Sequence, residues 1–269
     1  SGYVGLGGYA LYSGKFMRLE FRPDAALLKM LVKESFPLLL SGCLTLIYFR
    51  ADVFMLSKMK GFEAVGYYRV AVRFSETLDL FCVAVLVSIF PILARTFKEN
   101  RVDFERTVRK GFSVMLLAGL PMLMGGSLAA KDLIVLFFGA KYLPSVLTFQ
   151  LLLGYTAFGY LNSLLVNILI ACGKQTVDAW FSLFLVLLNI VMNFFLIPVI
   201  SFNGAAVATV AVQVANAIFM TIYAKYNSQI RMPVPCKDIC AAIALNLLFL
   251  ALLIGLRWLA PFPVLVFIL

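Results

Sequence analysis

The sequence predicts an all-α membrane protein, a polytopic bundle of transmembrane helices, and three observations lead to this class. Of the 269 residues, 63% are hydrophobic and only 13% are charged, whereas soluble domains hold about 45–50% apolar and about 25% charged residues. The apolar residues fall into runs of roughly 20, the length that crosses a bilayer as a helix. Lysines and arginines are concentrated between those runs. A soluble fold would leave too much apolar surface in water, so we exclude one.

Seven runs are long enough to be complete spans, and charges or prolines stand near their ends. In chain order they are Glu34 to Met59, Val65 to Leu93, Gly111 to Ala130, Leu143 to Ala171, Val177 to Ile200, Gly204 to Ala224 and Ile239 to Leu259.

Two shorter apolar pieces, Ser1 to Tyr12 and Pro261 to Leu269, cannot cross a membrane alone. We therefore expect a segment of a longer protein with three parts. Residues 1–33 would be the end of a preceding helix and a basic cytoplasmic connector, and residues 34–224 a lobe of six transmembrane helices. Residues 225–269 would be a basic loop and further terminal helices, the last of them truncated.

The distribution of basic residues predicts the orientation of the spans. If the spans alternate, Ser13 to Lys33, Arg95 to Lys110, the turn with Lys174, and Lys225 to Lys237 all lie on one side. These segments hold most of the lysines and arginines. Because short cytoplasmic loops carry the excess of positive charge, this side is expected to be cytoplasmic.

Composition also excludes several kinds of chemistry. The chain has no histidine, which removes Ser-His-Asp and Cys-His nucleophiles and histidine zinc sites. The cysteines form no CxxC pair and are predicted to be packing residues rather than metal ligands or disulfides; they are Cys43, Cys82, Cys172, Cys236 and Cys240. The net charge of +10 is not interleaved with stacking aromatics, so no nucleic-acid partner is expected. No loop is long enough for the acid/base cluster of an enzyme, and we predict neither enzyme activity nor a cofactor.

The first two spans carry ionisable residues in their interiors, where charges are costly unless they face water or a partner. The first span contains Arg50 and Asp52. The second contains Arg69, Arg73, Glu76 and Asp79 at spacings that keep them on one broad face of a helix.

Two interpretations of these charges remain open. In one, Arg50 pairs with Glu76 or Asp79, and Asp52 pairs with Arg73, so that two helices are pinned together. In the other, the charges face a water-accessible cavity that presents cationic groups to an anionic substrate. The number of buried charges exceeds what helix docking requires, which favours the cavity.

Amide side chains recur in later spans. They include Asn162 in the fourth, Asn189 and Asn193 on one face of the fifth, and Gln213 in the sixth. Hydrogen bonds between helices are their expected role, with lining of a cavity as the alternative.

Several stretches resemble the second lobe of polysaccharide (O-antigen-type) flippases of the multidrug/oligosaccharidyl-lipid/polysaccharide exporter superfamily. The resemblance is spread over six spans in the same order. It is carried by Arg50-Ala-Asp52-Val-Phe-Met-Leu, Gly61, Val65-Gly66-Tyr67-Tyr68, Ala71-Val-Arg73-Phe-Ser-Glu76, Phe90-Pro91, Ala171-Cys-Gly173-Lys174, Leu188-Asn189-Ile-Val-Met-Asn193-Phe-Phe-Leu-Ile197-Pro198 and Asn203-Gly204-Ala205-Ala206-Val-Ala208-Thr209.

The resemblance implies a function and a location. Such flippases move lipid-diphosphate-linked oligosaccharides to the outer leaflet of the plasma (inner) membrane by alternating access between two lobes. This chain would be mainly the C-terminal lobe, with membrane lipids, the lipid-linked oligosaccharide and the missing N-terminal lobe as its partners. The runner-up is a multidrug/cation antiporter of the same superfamily, for which carboxylates unpaired with arginine are expected.

The resemblance also implies roles for the charged residues. Arg50, Arg73 and Arg69 are the candidates for binding the substrate's pyrophosphate, which suits guanidinium geometry. The carboxylates Asp52, Glu76 and Asp79 would hold those arginines, exchange protons or bind a coupling ion. These arginines do not outnumber the carboxylates, so this lobe alone does not establish a strongly cationic cavity.

Overall fold

The computed structural model describes residues 25–226 together with Ala244 and Asn246, and its regular elements there are all helical. The chain divides into two compact units, Ser1–Pro37 and Leu38–Leu269. The second unit carries the helices that concern the site. The predicted connector before residue 25, most of the seventh span and the last apolar piece lie outside the described residues.

Four helices account for almost all of the described chain. They are α1 (Ala25–Glu99), α2 (Arg101–Phe138), α3 (Ser145–Ala171) and α4 (Gln175–Tyr226), with a short 3₁₀ turn at Ala140–Tyr142. Each is long and apolar enough to cross a membrane. This confirms the predicted class of an all-α, polytopic membrane protein.

Two of the helices are broken in the middle, so residues 38–226 contain six helical segments; the division into three parts at residues 33/34 and 224/225 stays a prediction. The backbone of α1 leaves helical geometry at Gly61 (φ 83°, ψ 178°), and that of α4 at Ile200 and Ser201. We call residues 38–60 and 62–99 the first and second arms of α1, and 175–199 and 202–226 those of α4. Only glycine adopts the positive φ at position 61 without strain, which explains why the predicted spans end there.

The two breaks lie at the same end of the bundle, and local contacts fix the break in α4. Lys60 Nζ donates a hydrogen bond to the backbone carbonyl of Pro198 at 2.8 Å, which links the two breaks. A Cβ added at Gly204 would lie 2.5 Å from the carbonyl oxygen of Leu196. The second arm of α4 can therefore fold back against the first only because residue 204 has no side chain.

The helices extend beyond the predicted spans. The sequence predicts the third span from Gly111 to Ala130, whereas α2 runs from Arg101 to Phe138. Asn100 caps its start, with Oδ1 accepting from the amide of Val102 at 2.9 Å. The difference arises because hydropathy marks the edge of the hydrocarbon, while backbone hydrogen bonds continue through polar residues outside it.

Two hydrophobic cores are stacked along the bundle. One lies at the end with the breaks, which we call the Gly61 end, and includes Leu56, Tyr68, Ile134, Phe149 and Ile197.

The other core lies at the Asn100 end, the predicted cytoplasmic end, and includes Leu93, Phe104, Met115, Leu164 and Ile168. Buried polar side chains adjoin the first core, where its member Tyr68 donates a hydrogen bond to Asp52. The candidate site lies there.

Candidate functional site

Asp52 is the centre of a buried polar cluster that joins four helical arms. The residue is 3% exposed. Tyr68 Oη donates to Asp52 Oδ2 at 2.8 Å, and Asn193 Nδ2 donates to Asp52 Oδ1 at 2.6 Å. Thr209 Oγ1 lies 2.9 Å from Asp52 Oδ2. One carboxylate therefore receives contacts from the other arm of its own helix and from both arms of α4.

The two helix breaks explain why residues so distant in sequence meet. Asp52 and Tyr68 flank Gly61, while Asn193 and Thr209 flank the break in α4. At a rise of about 1.5 Å per residue, all four lie roughly 10–14 Å from their break. Because the two breaks lie at the same end of the bundle, the four side chains reach the same depth.

The hydroxyl of Thr209 is shared between two acceptors. Its Oγ1 is 2.9 Å from Asp52 Oδ2 and also 2.9 Å from the backbone carbonyl of Ala205, one helical turn earlier. A hydroxyl has a single hydrogen, so it donates to only one of these at a time. When Asp52 is ionised, Thr209 donates to the carboxylate; when Asp52 is protonated, Thr209 donates to Ala205 and can accept from the acid. The cluster thus accommodates both protonation states with little movement.

Two further polar atoms in the cluster have no hydrogen-bond partner within the described part of the chain. Asn193 Oδ1 and Asn189 Nδ2 are both buried and unsatisfied. Asn193 Nδ2 donates to Asn189 Oδ1 at 3.0 Å, so the pair shares a helix face as predicted. An unsatisfied buried acceptor beside a carboxylate is suited to a proton or a small cation.

The charged residues do not pair as the first interpretation of the sequence expected. Arg73 contacts Glu76 on its own helix, with Nη1 and Oε2 3.4 Å apart, and both side chains are largely exposed. Among the described residues, no arginine or lysine forms an ion pair with Asp52. The predicted Asp52–Arg73 pair is therefore wrong, because the two residues lie on different faces of their arms.

The three arginines proposed for the substrate are all exposed on this chain. Counted from Gly61, Arg50 and Arg73 lie about 16 and about 18 Å along their arms, and Arg69 about 12 Å. A hydrocarbon layer is about 30 Å thick, so Arg50 and Arg73 would be near its middle if the Gly61 end lies at its edge. Guanidinium groups at that depth require water, a partner or a ligand.

Asp79 lies apart from the Asp52 cluster but is connected with it by a cavity. It is half-buried and has no hydrogen bond or ion pair within residues 25–226. A cavity of about 30 Å³ touches both carboxylates, together with Ser75, Glu76 and Tyr155. Glu76 is thus the exposed member of the three predicted carboxylates, and Asp52 and Asp79 the interior ones.

The remaining predicted amides bridge two helices. Asn162 Nδ2, on α3, donates to the backbone carbonyl of Gln213 at 2.9 Å and to its Oε1 at 3.0 Å. Asn162 is buried, while Gln213 also lines a large cavity beside Asp79. The interpretation as interhelical hydrogen bonds holds for Asn162, and Gln213 has both roles.

Sequence reasoning missed Tyr68 and Thr209 as members of the site. Both lie within stretches that carry the family resemblance. Hydroxyl side chains are common in membrane helices, however, so their presence alone does not indicate a site. One signal in the sequence could have indicated them: Tyr68 and Thr209 lie at similar distances, seven and eight residues, after the breaks at Gly61 and Ser201. That signal is not specific, because the sequence does not show which way each helix is rotated.

Comparisons with known proteins agree with the fold and the resemblance. The sequence profile of the family described as Polysaccharide biosynthesis protein matches residues 3–97. Over 173 residues the chain is 31% identical to "Probable flippase AglR" of Haloferax volcanii. The alignment covers 59% of this chain and 34% of that protein. Over 195 residues it is 25% identical to "Capsular polysaccharide biosynthesis protein CapF" of Staphylococcus aureus, covering 71% of this chain and 48% of that protein.

Solved structures share the fold at low sequence identity. The lipid II flippase MurJ in an inward closed conformation superposes with a TM-score of 0.70 and 17% identity, covering 88% of this chain and 50% of that one. An outward-facing multidrug resistance transporter of the MATE family superposes with a TM-score of 0.64 and 18% sequence identity. The match covers 80% of this chain and 51% of that one. The chain therefore spans between a third and about half of the length of the proteins it matches.

Proposed function

We propose that this chain belongs to the polysaccharide flippases of the multidrug/oligosaccharidyl-lipid/polysaccharide exporter superfamily and is part of a transporter that moves a lipid-linked oligosaccharide across the membrane; the family match over residues 3–97 and the likeness to a probable flippase support this. The substrate would pass from the cytoplasmic to the outer leaflet of the plasma membrane by alternating access. A probable flippase and a lipid II flippase are among the proteins it resembles, which supports transport. Since the chain spans only part of their length, the remaining lobe is part of the proposal.

The observation that carries this proposal is the pair of exposed arginines, Arg50 and Arg73, about 16 and about 18 Å along their arms from Gly61. Arg50 and Arg73 lie on neighbouring arms at similar depth, where lipid tails offer no counter-charge. A diphosphate linking lipid to sugar is an anion that two guanidinium groups recognise through bidentate hydrogen bonds. Arg69, one helical turn from Arg73, would extend the same cationic surface. The second lobe would close the cavity around the substrate.

Transport against a gradient needs a coupling step, for which we propose Asp52. Its contacts with both arms of α1 and α4 mean that a change in its charge acts on four arms at once. The shared hydroxyl of Thr209 supports exchange of a proton, and the unsatisfied Asn193 Oδ1 supports a small cation as the alternative. Glu76, bound to Arg73, would hold that arginine in place when no substrate is present.

The experiment that tests the substrate role replaces Arg73 in the complete gene product. Outer-leaflet delivery of the lipid-linked oligosaccharide is measured in cells that lack the native gene. Arg73→Ala is expected to lower delivery by at least about tenfold at equal protein abundance, because one charge-assisted contact to phosphate is worth about 1.5–3 kcal/mol. Arg73→Lys should restore part of it.

Arg95→Ala is the matched control. Arg95 is equally exposed and also bound to a carboxylate on its own helix, Glu99 at 2.9 Å, but it lies at the Asn100 end. Its replacement is expected to leave delivery unchanged. Normal delivery by Arg73→Ala would contradict the proposed role, and equal loss in both variants would show that any exposed arginine matters.

A second candidate function, multidrug or cation antiport, has one observation in its favour. Asp52 and Asp79 form no ion pair with an arginine in the described structure, the arrangement expected of a cation exchanger. Efflux of cationic dyes from cells that express the complete gene, without any change in oligosaccharide delivery, would favour this alternative.

A further inference from the structure

A groove of about 560 Å³ lies between the second arm of α1 and the first turns of α2, at the Asn100 end of the bundle. Asn100 is the single residue between the two helices, so they form a tight hairpin. Other faces of the same helices pack together, where the rings of Phe97 and Phe104 are 5.3 Å apart. We call this groove the hairpin groove. Its lining residues include Pro91, Ile92 and Arg95 on one wall and Arg106 and Lys110 on the other.

The hairpin groove carries a net positive charge, because its lining combines three basic residues with two carboxylates, Glu99 and Asp103. Arg95 Nε is 2.9 Å from Glu99 Oε2, and Arg106 Nη1 is 3.3 Å from Asp103 Oδ1. Each ion pair engages one nitrogen, so both guanidinium groups have N–H donors left for a second anion. Lys110 makes no ion pair with any residue that the structure describes.

The wall from α1 changes from basic to apolar toward the membrane. A spacing of four residues places Arg95, Pro91 and Val87 along one line of the helix surface. Ile92 and Val87 are 51% and 68% exposed, so apolar side chains remain uncovered along this line. At about 1.5 Å per residue, Arg95 lies about 8 Å from Asn100 and Val87 about 20 Å. This helix face is thus basic near the hairpin turn and apolar farther into the bilayer.

The wall from α2 shows the same change. Arg106, Lys110 and Val114 again follow a spacing of four residues, and Leu117 continues the line. Val114 and Leu117 are exposed apolar side chains. Lys110 lies about 15 Å and Val114 about 21 Å from Asn100. On both helices the basic residues therefore end, and the exposed apolar surface begins, at a similar depth.

This division of the groove matches the chemistry of an anionic phospholipid. The phosphodiester of such a lipid needs cationic hydrogen-bond donors at the water-facing end, and its acyl chains need apolar contact within the hydrocarbon. A free phosphate ion would use only the basic part of the groove. An acidic protein segment bound to that part would leave the exposed apolar side chains below it uncovered. The phospholipid is therefore the occupant that uses the whole surface.

From this geometry we infer that the hairpin groove binds an anionic glycerophospholipid, with its phosphodiester between Arg95, Arg106 and Lys110. An acyl chain would lie along Val87 and Val114. Basic pockets between transmembrane helices on the cytoplasmic side bind anionic headgroups in this way. The basic loops predict that the Asn100 end is cytoplasmic, so the lipid would come from the inner leaflet. The inference does not rest on the proposed function, since no part of it involves the transported lipid.

The test measures contact between the groove and two lipids in vesicles that contain the complete protein. Val114→Cys carries a fluorophore, with the native cysteines replaced, and bromine atoms on lipid acyl chains quench it on contact. Quenching by brominated phosphatidylglycerol is compared with quenching by brominated phosphatidylcholine, each as the same small fraction of a phosphatidylcholine vesicle. We expect a binding constant about fivefold higher for phosphatidylglycerol, because the groove carries one net positive charge. Equal binding constants would overturn the inference.

Lys110→Gln removes the net charge of the groove and is expected to lower the preference below about twofold, whereas Lys110→Arg should retain it. Lys98→Gln is the matched control. Lys98 is an exposed basic residue at the same end of the bundle, but it does not line the groove. The preference should persist in this variant. Equal loss in Lys98→Gln and Lys110→Gln would overturn the inference, because the charge of the whole surface, and not the groove, would then attract the lipid.

A second label position separates the groove from the rest of the lipid-facing surface. Leu187 is 55% exposed on the first arm of α4, and a fluorophore on Leu187→Cys should be quenched equally by both lipids. A fivefold preference there as well would overturn the inference, since the anionic lipid would then collect all around the protein. Absence of quenching of the Val114→Cys label by either lipid would also overturn it, because protein would then cover the groove.

Inorganic phosphate distinguishes a lipid headgroup from a free anion. Phosphate is added to the vesicles against sodium chloride of equal ionic strength, and quenching of the Val114→Cys label by phosphatidylglycerol is expected to stay unchanged. Relief of quenching by phosphate alone would show that the basic residues take a soluble anion, and would overturn the assignment to a phospholipid.

Discussion

The hydrogen bond between Tyr68 and Asp52 provides a measurement of the charge on the buried carboxylate. Both residues are 3% exposed, and the two oxygens are 2.8 Å apart. A hydrogen bond to an ionised group contributes about 1.5–3 kcal/mol, whereas neutral bonds between membrane helices average about 0.6 kcal/mol. The coupling free energy between the two residues therefore reports whether Asp52 is ionised.

The assay is a double-mutant cycle on the complete protein, with Tyr68→Phe, Asp52→Asn and the double variant. The free energy of unfolding is measured by titration with a denaturing detergent at several pH values. We expect a coupling of about 1.5–3 kcal/mol where Asp52 is ionised, falling toward about 0.6 kcal/mol where it is protonated. Tyr68→Phe alone should be less destabilising than loss of the carboxylate, because Thr209 still contacts Oδ2.

Tyr67 is the matched control for this cycle. It is the neighbouring tyrosine, and its hydroxyl donates to Glu63 on the same helix at 3.1 Å. Tyr67→Phe and Asp52→Asn should be additive within about 0.5 kcal/mol. A Tyr68–Asp52 coupling below about 0.3 kcal/mol at every pH would refute the argument, because a buried bond of this length cannot then be contributing.

Two further predictions concern packing and a loop cysteine. Gly204→Ala should lower the free energy of unfolding by about 1–3 kcal/mol, because its Cβ would lie 2.5 Å from the carbonyl of Leu196; Gly154→Ala, where nothing lies within 4 Å, should cost less than about 0.5 kcal/mol. Burial raises the pKa of the Cys172 thiol to about 11, so its thiolate fraction, and its rate of maleimide labelling, should rise about tenfold per pH unit from pH 7 to 10. The labelling rate is measured in a variant in which the other cysteines are replaced. A rate that levels off below pH 9 would contradict the raised pKa.

The gap between the first two spans, Met59 to Val65, was predictable because hydropathy falls there, and the break at Gly61 lies within it. The ends of α2 were not, since the helix continues through charged residues that hydropathy assigns to a loop. In the site, the shared face of Asn189 and Asn193 follows from their spacing of four.

The partners of Asp52 did not follow from the sequence. Charges at similar depth suggested Arg73, yet depth along a helix leaves its rotation undetermined. Tyr68, Asn193 and Thr209 reach Asp52 because the backbone turn at Gly61 and the close packing at Gly204 set how the arms face each other. That packing depends on contacts between residues more than a hundred positions apart.

The single hydrogen of Thr209 has a consequence for the shape of α4. When it is directed to the Ala205 carbonyl, the hydroxyl donates a second hydrogen bond to that oxygen within the first turns after Ser201, and such bonds from threonine to the preceding turn bend helices. When it is directed to Asp52, the carbonyl keeps only its backbone hydrogen bond. We therefore expect the curvature of the second arm of α4 to differ between the ionised and the protonated form of Asp52.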